Sequence, residues 1–152
     1  MTREDAYYQM LLLKCGITDV FNSWFNDLLE NEEPLSKETM GLIDKSDDIN
    51  AVISYLEQLC GCDRDEYEAC RRVRLFLRDE YTVGRLTNAR CAEIMYIVSV
   101  YNCGFENTIW EDMYYLSDVY DYAEIGVCTM ENFEELFKRY LETGEYLKTL
   151  KY

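Results

Sequence analysis

Six of the seven glycines stand at the ends of amphipathic runs, and this placement limits the chain to a succession of short helices. Gly16, Gly61, Gly84, Gly104, Gly126 and Gly144 each follow residues whose apolar members recur at spacings of three and four. A helix closed by a left-handed residue needs one without a Cβ there, so glycine in that position marks a stop. Only Gly41 falls inside a segment that otherwise reads as helical.

Polar starts complement these stops. Thr18 precedes Asp19-Val20-Phe21, and Ser46 precedes Asp47-Asp48-Ile49. Asp63 with Glu66, and Thr108 with Glu111, have capping-box spacing, in which side chains satisfy backbone N–H groups of the first turn. Thr87 and Thr129 also stand immediately before helical runs. Between starts and stops, Ile49, Val52, Ile53, Leu56 and Leu59 form a clean stripe. Ile94, Ile97, Val98 and Tyr101 belong to a segment that is apolar on nearly all sides, which predicts the centre of a bundle.

The expected fold is therefore all-α, a compact bundle or short stack of helical hairpins with seven or eight helices. Their spans are 4–14, 19–32, 36–45, 47–60, 64–81, 88–103 and 108–124, with 130–143 as the eighth where there are eight. No run alternates with period two between turns, so no sheet is expected. From Gly41 onward the stops recur about every twenty residues, which gives hairpins of about forty and suits a bundle or a solenoid. Successive hairpins share no residue-level similarity that would mark a repeat protein. The one break, at Asn31–Pro34, lies too near the start to bound a domain, so 1–152 reads as a single acidic helical domain.

Charge narrows the possible partners. Thirty acids against fifteen bases give a formal net charge of -15, which repels nucleic-acid phosphates and anionic membrane surfaces alike. Direct nucleic-acid or membrane binding is not expected, and the natural partner is a basic protein. The plainer account is that acidity serves solubility alone. The charge is also uneven: residues 1–59 and 91–152 each carry twelve acids and four bases, whereas 60–90 carries six acids and seven bases. Arg71, Arg72, Arg74 and Arg78 share one predicted helix in that middle block. They suit ion pairs with the acidic flanks, or a site for a carboxylate or phosphate, which guanidinium forks hold well.

The absences are as informative. Histidine is missing altogether, which removes Ser-His and Cys-His nucleophiles, most zinc sites and the Glu-x-x-His pairs of di-iron bundles. Carboxylate chemistry needs only two acids, yet nothing singles out a pair. Glu131, Glu134 and Glu135 read as a solvated helix face, and Asp44, Asp47 and Asp48 as a helix junction lacking the glycine and terminal glutamate of a calcium loop. Cys60-Gly61-Cys62 with Cys70 and Cys91 has C-x-C spacing in place of the C-x₂-C of zinc sites. Cys70, Cys91 and Cys103 fall on apolar stripes, where a thiol packs as a small core residue. No catalytic residue, metal or cofactor is expected.

Seven cysteines without scaffold spacing, a charged start lacking a signal-peptide pattern, and no run approaching a membrane span predict a cytoplasmic protein with reduced thiols. The run Met10–Cys15 is superficially similar to a lipoprotein cleavage site, but Lys14 directly before the cysteine argues against one.

One segment stands out as a partner surface. Over residues 105–124 aromatic and acidic residues interleave so densely that one helix cannot bury every ring on one face. The expected contact residues are Glu106, Trp110, Glu111, Asp112, Tyr114, Tyr115, Asp118 and Tyr122. Tyrosine and tryptophan bring large contact area at low entropic cost, and the carboxylates would meet a basic partner. The competing reading puts the rings in the core and the acids in water.

In size, acidity, aromatic content and want of catalytic residues the chain resembles the immunity proteins that neutralise bacterial toxins, a likeness of general character carried by no motif. It implies a binding inhibitor that is not an enzyme, acting on a basic protein such as a cognate toxin or nuclease. Two other functions are compatible with the sequence. One is a phage or virus protein that mimics nucleic acid to block a defence nuclease. The other is a helical adaptor that holds a partner helix in an apolar groove.

Overall fold

The computed structural model describes residues 1–102 and 108–144. Among these there are eight α-helices and no strand, as the glycine and cap pattern predicts. They are α1 (Arg3–Lys14), α2 (Asp19–Asn31), α3 (Lys37–Lys45), α4 (Ile49–Cys60), α5 (Glu66–Thr82), α6 (Asn88–Tyr101), α7 (Glu111–Glu124) and α8 (Met130–Thr143).

The stops behave as local chemistry requires. Gly16, Gly61, Gly84, Gly126 and Gly144 all have positive φ. Gly104 lies outside the described residues. Gly41 owes its place to packing, because a Cβ there would collide with the Tyr55 ring of α4. The Tyr55 hydroxyl donates to the Glu38 carbonyl at 3.3 Å, so a glycine on α3 admits a tyrosine from α4.

The starts are more mixed. Thr87 and Thr129 cap α6 and α8, accepting from the N–H of Arg90 and of Asn132 at 3.1 Å each. Thr2 and Asp5 form a reciprocal capping box on α1. Ser46, expected to open α4, closes α3, and Asp48 caps α4 through the Asn50 and Ala51 N–H groups. The Asp63–Glu66 box is replaced by Asp65, which accepts from the Glu68 N–H at 3.0 Å, and Glu66 turns to other partners. At α7 the cap residue is Trp110, without a side-chain cap bond.

Packing divides the chain into two compact units, 1–69 and 70–152, with the divide inside α5. The sequence, read as one domain with its only break near Pro34, carries no signal there, since a helix running through a divide shows neither glycine nor proline.

In the first unit α1 packs against α4 and α2, and α3 packs against α4. Helix α1 is its centre: Ala6, Tyr7, Met10, Leu11 and Leu12 are fully buried. The buried Tyr7 hydroxyl donates to Glu66 Oε2 at 2.8 Å, and the Arg64 guanidinium lies 4.2 Å above the Tyr7 ring while its Nε donates to Glu66 Oε1 at 3.1 Å. One carboxylate thus satisfies both a buried phenol and a half-buried cation.

In the second unit α6 packs against α7, and α7 against α8. The core is built from Cys91, Ile94, Met95 and Val98 of α6, Met113 and Leu116 of α7, and Phe133 and Phe137 of α8. Phe133 and Phe137 stack at 5.4 Å, with Tyr81 and Tyr120 edge-on to them at 5.0 and 5.4 Å. A correspondence carried by few identical residues emerges here. An offset of 42 residues carries Gly84 onto Gly126 and Thr87 onto Thr129, and the same offset carries the buried Leu77, Cys91, Met95 and Val98 onto the buried Val119, Phe133, Phe137 and Tyr140. Both turns close the preceding helix in the same way. The Arg85 N–H donates to the Glu80 carbonyl and the Val127 N–H to the Tyr122 carbonyl, a bond that spans the glycine in each case.

Candidate partner-binding face

Helix α6 is not buried on all sides, as its composition suggested. Ala89, Glu93, Tyr96 and Val100 recur at four, three and four, and all four are exposed. Tyr96 is 50 % exposed and Val100 40 %. The facing helix α7 presents Tyr114, 43 % exposed, and the Tyr96 and Tyr114 rings lie 6.4 Å apart and tilted by 31°. Two large aromatic residues from neighbouring helices thus meet at the surface.

Below this pair a shallow cleft of about 230 Å³ runs between α6 and α7, bounded by Glu93 and Tyr96 on one side and Ser117, Tyr120 and Asp121 on the other. Acids surround it. The Asp118 carboxyl is held above the usual carboxylate range, first by burial and then by repulsion from Asp121. Tyr120 donates to Glu124 Oε1 at 2.7 Å. That bond, with burial and the charges of Glu124 and Asp121, pushes its phenol up to about 12. The backbone beneath is tied down, because Ser99 and Ser117 hydroxyls donate to the Tyr96 and Tyr114 carbonyls at 3.0 and 2.6 Å. Arg90 pairs with Glu93, the acid of that stripe, at 3.0 Å.

The residues expected from sequence separate into two groups. Tyr114 and Tyr122 are exposed, and Glu111, Tyr115 and Asp118 are half-buried. Trp110 is 1 % exposed and Asp112 6 %, so both belong to the interior and offer no surface to a partner. The physical reason is the helical period: α7 buries Asp112, Met113, Leu116, Ser117 and Val119, and Trp110 and Asp112 fall on that side. Asp112 contributes to raising the phenol of the buried Tyr140, behind burial itself and the adjoining Cys70 thiol, which lies 3.8 Å from the Tyr140 hydroxyl. Glu106 lies outside the described residues.

Tyr96 and Val100 were missed from the sequence. Their helix carries almost no amphipathic signal, so nothing in its own pattern distinguishes the outward stripe from the inward one. The signal that finds them is α7, whose tyrosines need a neighbour on the side away from the core.

Other sequence candidates are also placed. Cys60 and Cys91 are fully buried, Cys62 is exposed, and burial pushes the Cys91 thiol up to about 12. Among the described residues no cluster of three Cys, Asp, Glu or His is placed to hold a metal ion. Of the acids on α8, Glu131 and Glu135 face solvent, and Glu134 accepts from the Asn88 side chain at 3.2 Å. Among the described residues no helix is long and apolar enough to cross a membrane.

Fold and face together define an all-α protein with a tyrosine- and carboxylate-bearing outer surface. Comparison with protein-family models, with curated proteins and with solved structures found no match to this chain.

Proposed function

We propose that this protein acts by binding, with its acidic aromatic face occluding a basic surface on a protein partner, as immunity proteins occlude the toxins they neutralise. The observation that carries this reading is the exposed Tyr96–Tyr114 pair set among Glu93, Asp118 and Asp121. Tyrosines at a rigid surface bury large area at little entropic cost, and the carboxylates set the sign of the partner. Asp118 and Asp121 repel each other. A lysine or arginine placed between them would relieve that repulsion, so association with a basic surface gains twice, from attraction and from relief. The net charge of -15 adds long-range steering toward the same kind of partner.

The test is capture of the partner from the native host at low salt, followed by a titration with the purified pair. Binding is expected to weaken at least about tenfold as salt rises from about 0.05 to 0.5 M, since exposed charges are screened within about a Debye length. Replacing Tyr96 and Tyr114 together by alanine should cost about 2 kcal/mol or more of affinity if they are anchors. A salt-independent affinity, or a captured protein without a basic surface, would remove the proposal.

A further inference from the structure

The sequence raised the possibility that the arginines of α5 hold an anion, and one of them borders a large cleft in the second unit. The cleft has a volume of about 640 Å³ and lies between α5, the α5–α6 turn and α8. Arg78 and Lys138 both line it. Arg78 spends Nε and Nη2 on a single oxygen of its neighbour Asp79, at 3.1 and 3.0 Å, and among the described residues Nη1 has no acceptor. Lys138 forms no ion pair with any described residue, in a chain where acids outnumber bases two to one.

Three more features converge on this cleft. Thr82 and Thr87 are polar members of its wall. Helix α6 starts there, with Thr87 as its cap, and the first turn of a helix directs N–H groups and partial positive charge outward. Tyr81 supplies a fixed aromatic wall: its ring rests edge-on against Phe137 at 5.0 Å, and its hydroxyl donates to Asn88 Oδ1 at 2.7 Å. Leu86 and Leu141 are the apolar members of the lining, and Glu142 is its one acid. The volume is within the range of small-molecule sites, about 300–1,000 Å³.

We propose that this cleft binds a small organic phosphate. The phosphate is held by Arg78, Lys138 and the start of α6, and a flat apolar part rests against Tyr81 and Leu86. A dianionic phosphate suits the two cations and the helix start better than a single carboxylate does, because it offers three acceptor oxygens and twice the charge.

The experiment is a titration of the isotope-labelled full chain, followed through its backbone amide resonances, with phenyl phosphate, phenol and inorganic phosphate as separate probes. Phenyl phosphate is expected to give saturable shifts centred on Gly84–Asn88, with affinity about tenfold above that of either half-molecule, since the ring and the phosphate each find their own contacts. Arg78→Gln and Lys138→Gln should each weaken it about tenfold, whereas Lys37→Gln, on the exposed start of α3, leaves it unchanged. Both cleft substitutions are at exposed side chains, so an unaltered melting midpoint accompanies the loss. Shifts that fail to saturate, that centre elsewhere, that survive in the doubly substituted chain, or that phenol produces equally well would each overturn the proposal.

Discussion

The two sides of α7 are made from the same residue types and serve opposite ends. On the inward side Trp110 and Asp112 are buried with Met113 and Leu116, and on the outward side Tyr114, Asp118 and Tyr122 meet solvent wholly or in part. Each side carries both an aromatic ring and an acid. The difference teaches that interleaving of rings and carboxylates is no signature of an interface by itself. Position on the helical wheel relative to α6 and α8 decides which ring is core and which is surface.

Substitutions along α7 can break or sharpen that contrast. The largest effect is expected at Trp110: Trp110→Ala should cost about 3–5 kcal/mol of stability, read as the midpoint of denaturant unfolding, because it empties a fully enclosed volume. A cost under about 1 kcal/mol would return Trp110 to the surface side. Next comes Gly126, which ends α7 with φ of 82° and has open space where a Cβ would stand. Gly126→Ala should cost about 1–2 kcal/mol, a purely conformational penalty with no steric share.

A smaller change of opposite sign is expected at Asp118. Its folded-state pKa is raised, so between the ordinary carboxylate value and that raised value the folded chain holds the extra proton. Stability contributed by Asp118 therefore falls as pH rises through that window, and at neutral pH the ionised carboxylate is a net cost. Asp118→Asn should stabilise by up to about 0.5 kcal/mol at pH 7 and lose that advantage at pH 3, as thermal melts at the two pH values would show. A substitution that destabilises at pH 7 would mean that Asp118 has a cationic partner.

Tyr114→Ala should change stability least, by about 0.5 kcal/mol or less, since a half-exposed surface ring contributes little to folding. The same substitution, made with Tyr96→Ala, is where the loss of partner affinity is expected. Stability and binding should thus rank the α7 residues in opposite orders, and a matching order would undo the division into core side and contact side.

Much of this was legible in the chain. Thr87, Thr129 and the five positive-φ glycines act through bonds to residues within a turn of themselves, so their sequence neighbourhood is enough to predict them. Ser46 and Asp48 lie two residues apart and both can cap a helix start, and only the closing of α3 decides between them. The candidate face was half legible. The tyrosine-rich segment pointed to α7, but Tyr96 belongs to a helix without an outward polar stripe, and Trp110 looks the same as Tyr114 in a string of aromatics and acids.

What the sequence by itself determined is the local order: seven or eight helices, their glycine stops and the caps at Thr87 and Thr129, with the absence of histidine and the negative charge. Each of these depends on backbone conformation, on contacts within a turn, or on composition alone. Tertiary structure alone decided the divide inside α5, the 42-residue correspondence of buried positions, the inward turn of Trp110 and the meeting of Tyr96 with Tyr114. Those depend on which helix faces which. A helical period says that a chain has an inside and an outside, but a neighbour some twenty residues away determines which ring lies on each.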